Sequence, residues 1–358
     1  MQTLIRAIID TAALRHNLGR VREIAPEAHV MAVIKANGYG HSLHIAARAL
    51  ADADGLAVAR LEEALALRAA GFAGRILLLE GVFDAGQLAA AAQEKFAIVV
   101  HSFEQLRMLE QSAIEGRLDV WIKVDSGMNR LGFRVEDFAE ALARLRRVAC
   151  VTPDPTLATH LASAEETDSP ATPDQLRVFE GATSGIGGGR SIANSAAVLA
   201  WPATRHGWVR PGLMLYGVSP FATGVGADFG LRAAMTFETA VISVKRVAAG
   251  ETVGYGGTWR AARETTMAVV AAGYGDGYPR SAASGTPVLV AGRRAPLVGR
   301  VSMDMISVDV TDLPGVSVGD PVELWGQNLP VEEVARSAGT IPYTLTCGVS
   351  RRVPHETR

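Results

Sequence analysis

Along the first two-thirds of the chain, short apolar runs alternate with stretches rich in Ala, Leu, Arg and Glu that have helical spacing. The apolar runs are residues 29–35, 55–59, 75–80, 97–100, 119–124, 156–160, 190–194 and 208–210. They are continuously apolar rather than alternating, the pattern of strands buried on both faces of a parallel sheet. Helices are predicted near 42–52, 61–70, 84–94, 102–115, 135–147, 173–182 and 195–201. Eight strand–helix units in about 230 residues fit an α/β fold of the (β/α)8 barrel type. A doubly wound open sheet is the competing arrangement, but it usually needs fewer strands.

Past residue 230 the pattern changes to Val/Thr/Gly-rich segments at 235–247, 267–272, 287–291, 297–310 and 321–325. Turns such as Leu313-Pro314-Gly315 and Gly319-Asp320 separate them, which predicts a C-terminal, mainly antiparallel β domain with one helix near 331–338. The expected division is a barrel over 1–230 and a β domain over 231–358. Residues 1–10 are expected to pair with the latter, because Arg6–Asp10 reads as a strand.

Composition narrows the class. The chain has 358 residues, 48% hydrophobic and 20% charged, enough apolar content for a large core and incompatible with disorder. Its 35 Lys and Arg against 37 Asp and Glu leave no basic excess for a nucleic-acid partner. Cys150 and Cys347 form no CxxC pair, which argues against a disulfide framework or a cysteine-rich zinc site. No apolar run reaches the roughly 18 residues of a membrane span, and Met1–Arg6 opens no signal-peptide apolar region, so no membrane partner and a cytoplasmic location are expected.

In such a barrel, chemistry sits at the C-terminal ends of the strands. Lys35, Lys123, His160, Asn194-Ser195 and Arg210 all stand there. Taken alone, Lys123, His160 and Arg210 read as structural. Lys35 differs: it follows Met31-Ala32-Val33-Ile34, and a lysine leaving an apolar strand loses hydration and becomes a Schiff-base candidate. His41 and His44 have no third ligand nearby, so no metal site is read there. The SGIGGG stretch at 184–189 follows no strand and reads as a loop. Gly212-Leu213 open a turn after the eighth strand and Ser195 starts a short helix after the seventh, the place where barrels commonly bind phosphate. A Schiff-base lysine, a phosphate cradle and an arginine in one mouth point to pyridoxal phosphate.

Several blocks resemble the alanine racemase family: Ala32-Val33-Ile34-Lys35-Ala36-Asn37-Gly38-Tyr39-Gly40-His41, Lys123–Gly132, Ala193-Asn194-Ser195, Val209–Gly217, Val253-Gly254-Tyr255-Gly256, Gly273–Tyr278 and Val301-Ser302-Met303-Asp304. The resemblance implies a pyridoxal-phosphate enzyme, a barrel plus a C-terminal β domain, that interconverts L- and D-alanine with two bases and supplies D-alanine for peptidoglycan precursors. It implies that Lys35 binds the cofactor covalently and is the base for the D-isomer, and that Tyr255 is the base for the L-isomer. Tyr39, Ser195, Gly212 and Leu213 resemble phosphate ligands, with Asn194 beside them. Arg210 resembles the residue facing the pyridine nitrogen, and His160 the histidine near the ring. Arg130 and the Met303 backbone resemble the contacts to the substrate carboxylate. Lys123 resembles a lysine that the family often carbamylates, which then orients Arg130.

The resemblance also implies a homodimer with shared sites. Arg351 stands where many members carry a phosphate-binding tyrosine, leaving that contact to its guanidinium or unmade. Two other readings stay open from the residues: a racemase for another small amino acid, and a non-catalytic pyridoxal-phosphate carrier. A decarboxylase would need an acidic pocket for a distal amine, for which the sequence offers no support.

Overall fold

The structure, a computed structural model, describes residues 4–358. The first three residues of the segment expected to pair with the β domain lie outside the described residues. Strand β1 (Arg6–Ile9) precedes a helix at Thr11–Ile24, whose N-terminus is capped by the Asp10 side chain accepting from the Ala13 N–H at 2.9 Å. Eight parallel strands follow: β2 (His29–Val33), β3 (Gly55–Val58), β4 (Ile76–Leu78), β5 (Ala97–Val100), β6 (Val120–Lys123), β7 (Thr156–Ala158), β8 (Arg190–Ser191) and β9 (Trp208–Val209). Each pairs with the next, and β9 pairs with β2 through His29↔Trp208 and Val30↔Val209, which closes the barrel. The eight apolar runs are thus the eight barrel strands. Side chains such as Met31, Leu77, Ile98, Trp121 and Leu157 are buried and fill the interior and the helix–strand layer.

The C-terminal sheet is organised by the long strand β10 (Met235–Val247). The remaining strands are β11 (Thr252–Val253), β12 (Trp259–Arg260), β13 (Thr265–Val270), β14 (Pro287–Val290), β15 (Arg293–Pro296), β16 (Ile306–Asp309), β17 (Pro321–Trp325) and β18 (His355–Thr357). β10 runs antiparallel to β1, β13 and β17, and an irregularity between Val241 and Ser243 lets it serve two sheet segments. β1 also pairs in parallel with β18, through Ala7↔His355.

Two details differ from the pattern reading. The run 297–310 is not one strand: β16 begins only at Ile306. Gly299 takes a left-handed φ of 75° and the Ser302 N–H donates to the Met305 carbonyl at 3.0 Å, so residues 297–305 form a loop. A second short helix, Pro342–Gly348, follows the expected one, which spans Val331–Ser337. Among the described residues, no helix is long and apolar enough to cross a membrane.

Candidate active site

A cavity of about 810 Å³ opens at the C-terminal ends of the barrel strands. Lys35, Tyr39, Lys123, Arg130, His160, Asn194, Ser195, Arg210, Gly212 and Leu213 all line it. β2 delivers Lys35 into a single turn, Lys35–Tyr39, whose backbone is left-handed at Ala36, Asn37 and Gly38. Left-handed backbone costs non-glycine residues roughly 1–2 kcal/mol each, so this turn survives only because its surroundings fix it. Asn37 helps, accepting from the Leu43 N–H at 2.8 Å. The turn swings the Tyr39 ring inward, where it stacks on Tyr216 with centroids 5.0 Å apart.

One wall joins the ends of the seventh and eighth barrel strands. The Ser195 hydroxyl accepts from the Gly212 N–H at 2.9 Å and the Met214 N–H at 3.3 Å, tying the seventh and eighth strand ends together. Asn194 caps the helix Ser195–Ala200 by accepting from the Ala197 N–H at 3.0 Å. Gly212 lies against the Tyr39 phenol: a Cβ there would stand 2.5 Å from the hydroxyl oxygen.

Cations line the same cavity. Arg210 is buried, and its guanidinium donates to the Thr159 carbonyl at 2.6 Å, the Ile192 carbonyl at 3.3 Å, Nδ1 of His160 at 3.5 Å and the Ser191 hydroxyl. Burial lowers its pKa to about 10, so it keeps its proton near neutrality. His160 is held neutral, far below its ordinary range, by burial and then by Arg210. Its Nδ1 therefore accepts and its Nε2 carries the proton. Burial and then Arg210 and Arg130 push Lys123 down to about 8. Lys35 is lowered in the same way, by burial and by Arg130.

Tyr255 and Met303 are not brought into this cavity. They belong to the C-terminal domain, where Tyr255 is 67% exposed and Met303 53% exposed. Arg351 is exposed and does not line the cavity either. The cavity carries instead Tyr343, from the helix Pro342–Gly348, its ring 5.8 Å from that of Tyr39 and its pKa pushed up by burial to about 12. The readable signal was Pro342, which favours the first position of a helix and puts Tyr343 directly after it.

The whole chain matches known proteins. Residues 9–220 match the family model described as alanine racemase, N-terminal domain, and residues 234–357 that described as alanine racemase, C-terminal domain. An alanine racemase of Nitrosococcus oceani is 55% identical over 350 residues, covering 98% of each chain. One from Shewanella woodyi is 49% identical over 353 residues, covering 99% of each. The crystal structure of the biosynthetic alanine racemase of Pseudomonas aeruginosa superposes with a TM-score of 0.97 at 47% identity, and the alanine racemase of Acinetobacter baumannii with 0.94 at 39%, both covering 100% of each chain.

Proposed function

The chain belongs to the alanine racemase family and interconverts the L and D forms of alanine, and we propose that Lys35 and Tyr255 are its two bases, in a site that a second copy of the chain completes. The split of the site carries this reading. Lys35 lines a cavity in the barrel, while Tyr255 stands exposed on the β domain and outside that cavity. Two bases serving opposite faces of one carbon must both come within hydrogen-bond reach of it. A two-fold dimer, with the β domain of one copy over the barrel of the other, satisfies that twice.

The residues fit pyridoxal phosphate. Lys35, Lys123, Arg130 and Arg210 line the cavity beside Glu80, Glu165, Glu166 and Glu332; the two arginines suit a phosphate and carboxylates, and the absent Cβ of Gly212 leaves room at the Tyr39 hydroxyl. Tyr39, Ser195, the Gly212 and Leu213 backbone and Tyr343 would hold the phosphate, with Asn194 fixing the helix start, and Lys35 would hold the cofactor covalently. When bound, the cofactor would draw electrons from the amino acid joined to it and so acidify its α-hydrogen.

The chain's own groups then manage charge and protons. The lowered pKa of Lys35 favours its neutral amine, the form that accepts a proton on one face. Tyr255 takes the other face. Arg210, its own proton retained, would donate a hydrogen bond to the cofactor's ring nitrogen without delivering a proton. His160 packs beside it as a neutral ring. Arg130 and the Met303 N–H orient the substrate carboxylate. A purified-protein assay tests the assignment: L-alanine should lose its optical rotation, and Lys35→Ala should abolish both that and the visible absorption of the bound cofactor. Substantial turnover by Lys35→Ala overturns it.

A further inference from the structure

The exposed loop that carries Met303 is not free. The Tyr274 N–H donates to the Ser302 carbonyl at 3.0 Å and the Gly275 N–H to the Met303 carbonyl at 2.8 Å, so the turn Gly273–Tyr278 zips onto the loop. The approach is tight enough to need glycine at position 273, where a Cβ would lie 2.3 Å from the Met303 carbonyl oxygen. In a trans peptide the N–H points opposite to the carbonyl. Because the Ser302 carbonyl turns in to Tyr274, the Met303 N–H must turn out. Among the described residues it has no acceptor.

Arg352 locks this arrangement. Its Nε donates to Asp276 Oδ1 at 2.8 Å and its terminal nitrogen to Asp304 Oδ1 at 2.8 Å. Asp276 is buried, and its second oxygen accepts from the Gly273 N–H at 2.8 Å. One guanidinium thus ties the residue after Met303 to the turn beneath it. A lone surface ion pair contributes little, but this fork spans two carboxylates, one of them buried, and its geometry is fixed by the planar guanidinium.

We propose that Arg352 is a positioning residue, acting through Asp304 and Asp276 to aim the Met303 N–H at the substrate carboxylate in the partner's cavity. The proposal rests on the reading of Met303 given above. In the full-length enzyme loaded with cofactor, Arg352→Ala should raise KM for alanine and the inhibition constant of propionate together, each about tenfold, the scale of one hydrogen bond to a charged group. Turnover at saturation should stay within about twofold, because the bases are untouched. Arg352→Lys, able to pair with one carboxylate at a time, should recover part of the loss. A folded, dimeric Arg352→Ala enzyme with unchanged KM and propionate inhibition overturns the proposal, as does a fall in turnover with KM unchanged. If Arg352→Ala does not fold, Asp304→Ala removes the acceptor on the exposed side of the same tie and is judged by the same two constants. An ester in place of the Ser302–Met303 amide removes the N–H and also weakens the Ser302 carbonyl as an acceptor for Tyr274. If the ester leaves KM unchanged, the reading of Met303 fails; if the ester raises KM and Arg352→Ala does not, the role of Arg352 fails.

Discussion

Gly212 packs so closely on Tyr39 that a single added Cβ would sit 2.5 Å from the phenol oxygen. The backbone of Gly212 is not left-handed, with φ of −122°, and the contact with Tyr39 leaves no room for a side chain. Gly212→Ala should displace the Tyr39 hydroxyl, and cofactor affinity should fall by about tenfold, the loss of one hydrogen bond to a charged group. Titration of the apoenzyme with pyridoxal phosphate measures it, and unchanged affinity would count against the cradle.

Lys123 lies beside Arg130 and Arg210, and like charges with burial bring it down to about 8. The neutral amine that this favours is the form that takes up carbon dioxide, and a carbamate would turn repulsion from Arg130 into attraction. Activity should fall when the enzyme is stripped of carbon dioxide and return on adding bicarbonate, with Lys123→Ala insensitive to both. Equal activity in stripped and bicarbonate buffers refutes the carbamate.

Subunit mixing tests the shared site. Lys35→Ala and Tyr255→Phe should each be inactive alone. After exchange, half the dimers are mixed and each holds one site with both native residues, so about a quarter of wild-type activity should return. A mixture that stays inactive after verified exchange shows that Tyr255 serves its own chain.

His41 gives a pH signature. It is buried, its Nδ1 bonds the Tyr39 carbonyl at 3.0 Å, and burial lowers its pKa to about 4. The unfolded chain takes up that proton near pH 6.5, so the folded state loses stability as pH falls from about 6.5 toward about 4 and keeps its full share above that window. His160 pulls the same way. The melting temperature of His41→Gln should therefore fall less steeply than that of the wild type between pH 6.5 and 4.5; parallel curves would refute it.

The barrel was legible because both-face burial writes continuous apolar runs, and each of the eight was a strand. The residues at the strand ends were legible because the fold sends strand ends to one mouth. The left-handed turn at Lys35–Tyr39 was not, since Ala36 and Asn37 carry no local preference strong enough to declare it; packing imposes it. The loop 297–305 was hidden in a run of valines, where one left-handed glycine outweighed the β-forming residues on either side. Tyr343 was missed because its helix has seven residues, too few for periodicity to register. That Tyr255 and Met303 lie on a different domain from Lys35 was legible in the change of pattern past residue 230; how far they stand from the cavity was not, because no local pattern encodes domain placement.

The helix Pro342–Gly348 presses on the turn that presents Lys35: a Cβ on Gly40 would lie 1.9 Å from the Thr346 carbonyl oxygen. A few residues further on, β18 finishes the pairing of β1, and His355 reaches the Gly40 carbonyl at 2.7 Å. On the ribosome, the barrel strands emerge long before these residues do. A nascent chain can therefore close its barrel while the turn that presents Lys35 still lacks its packing against Thr346 and its hydrogen bond from His355.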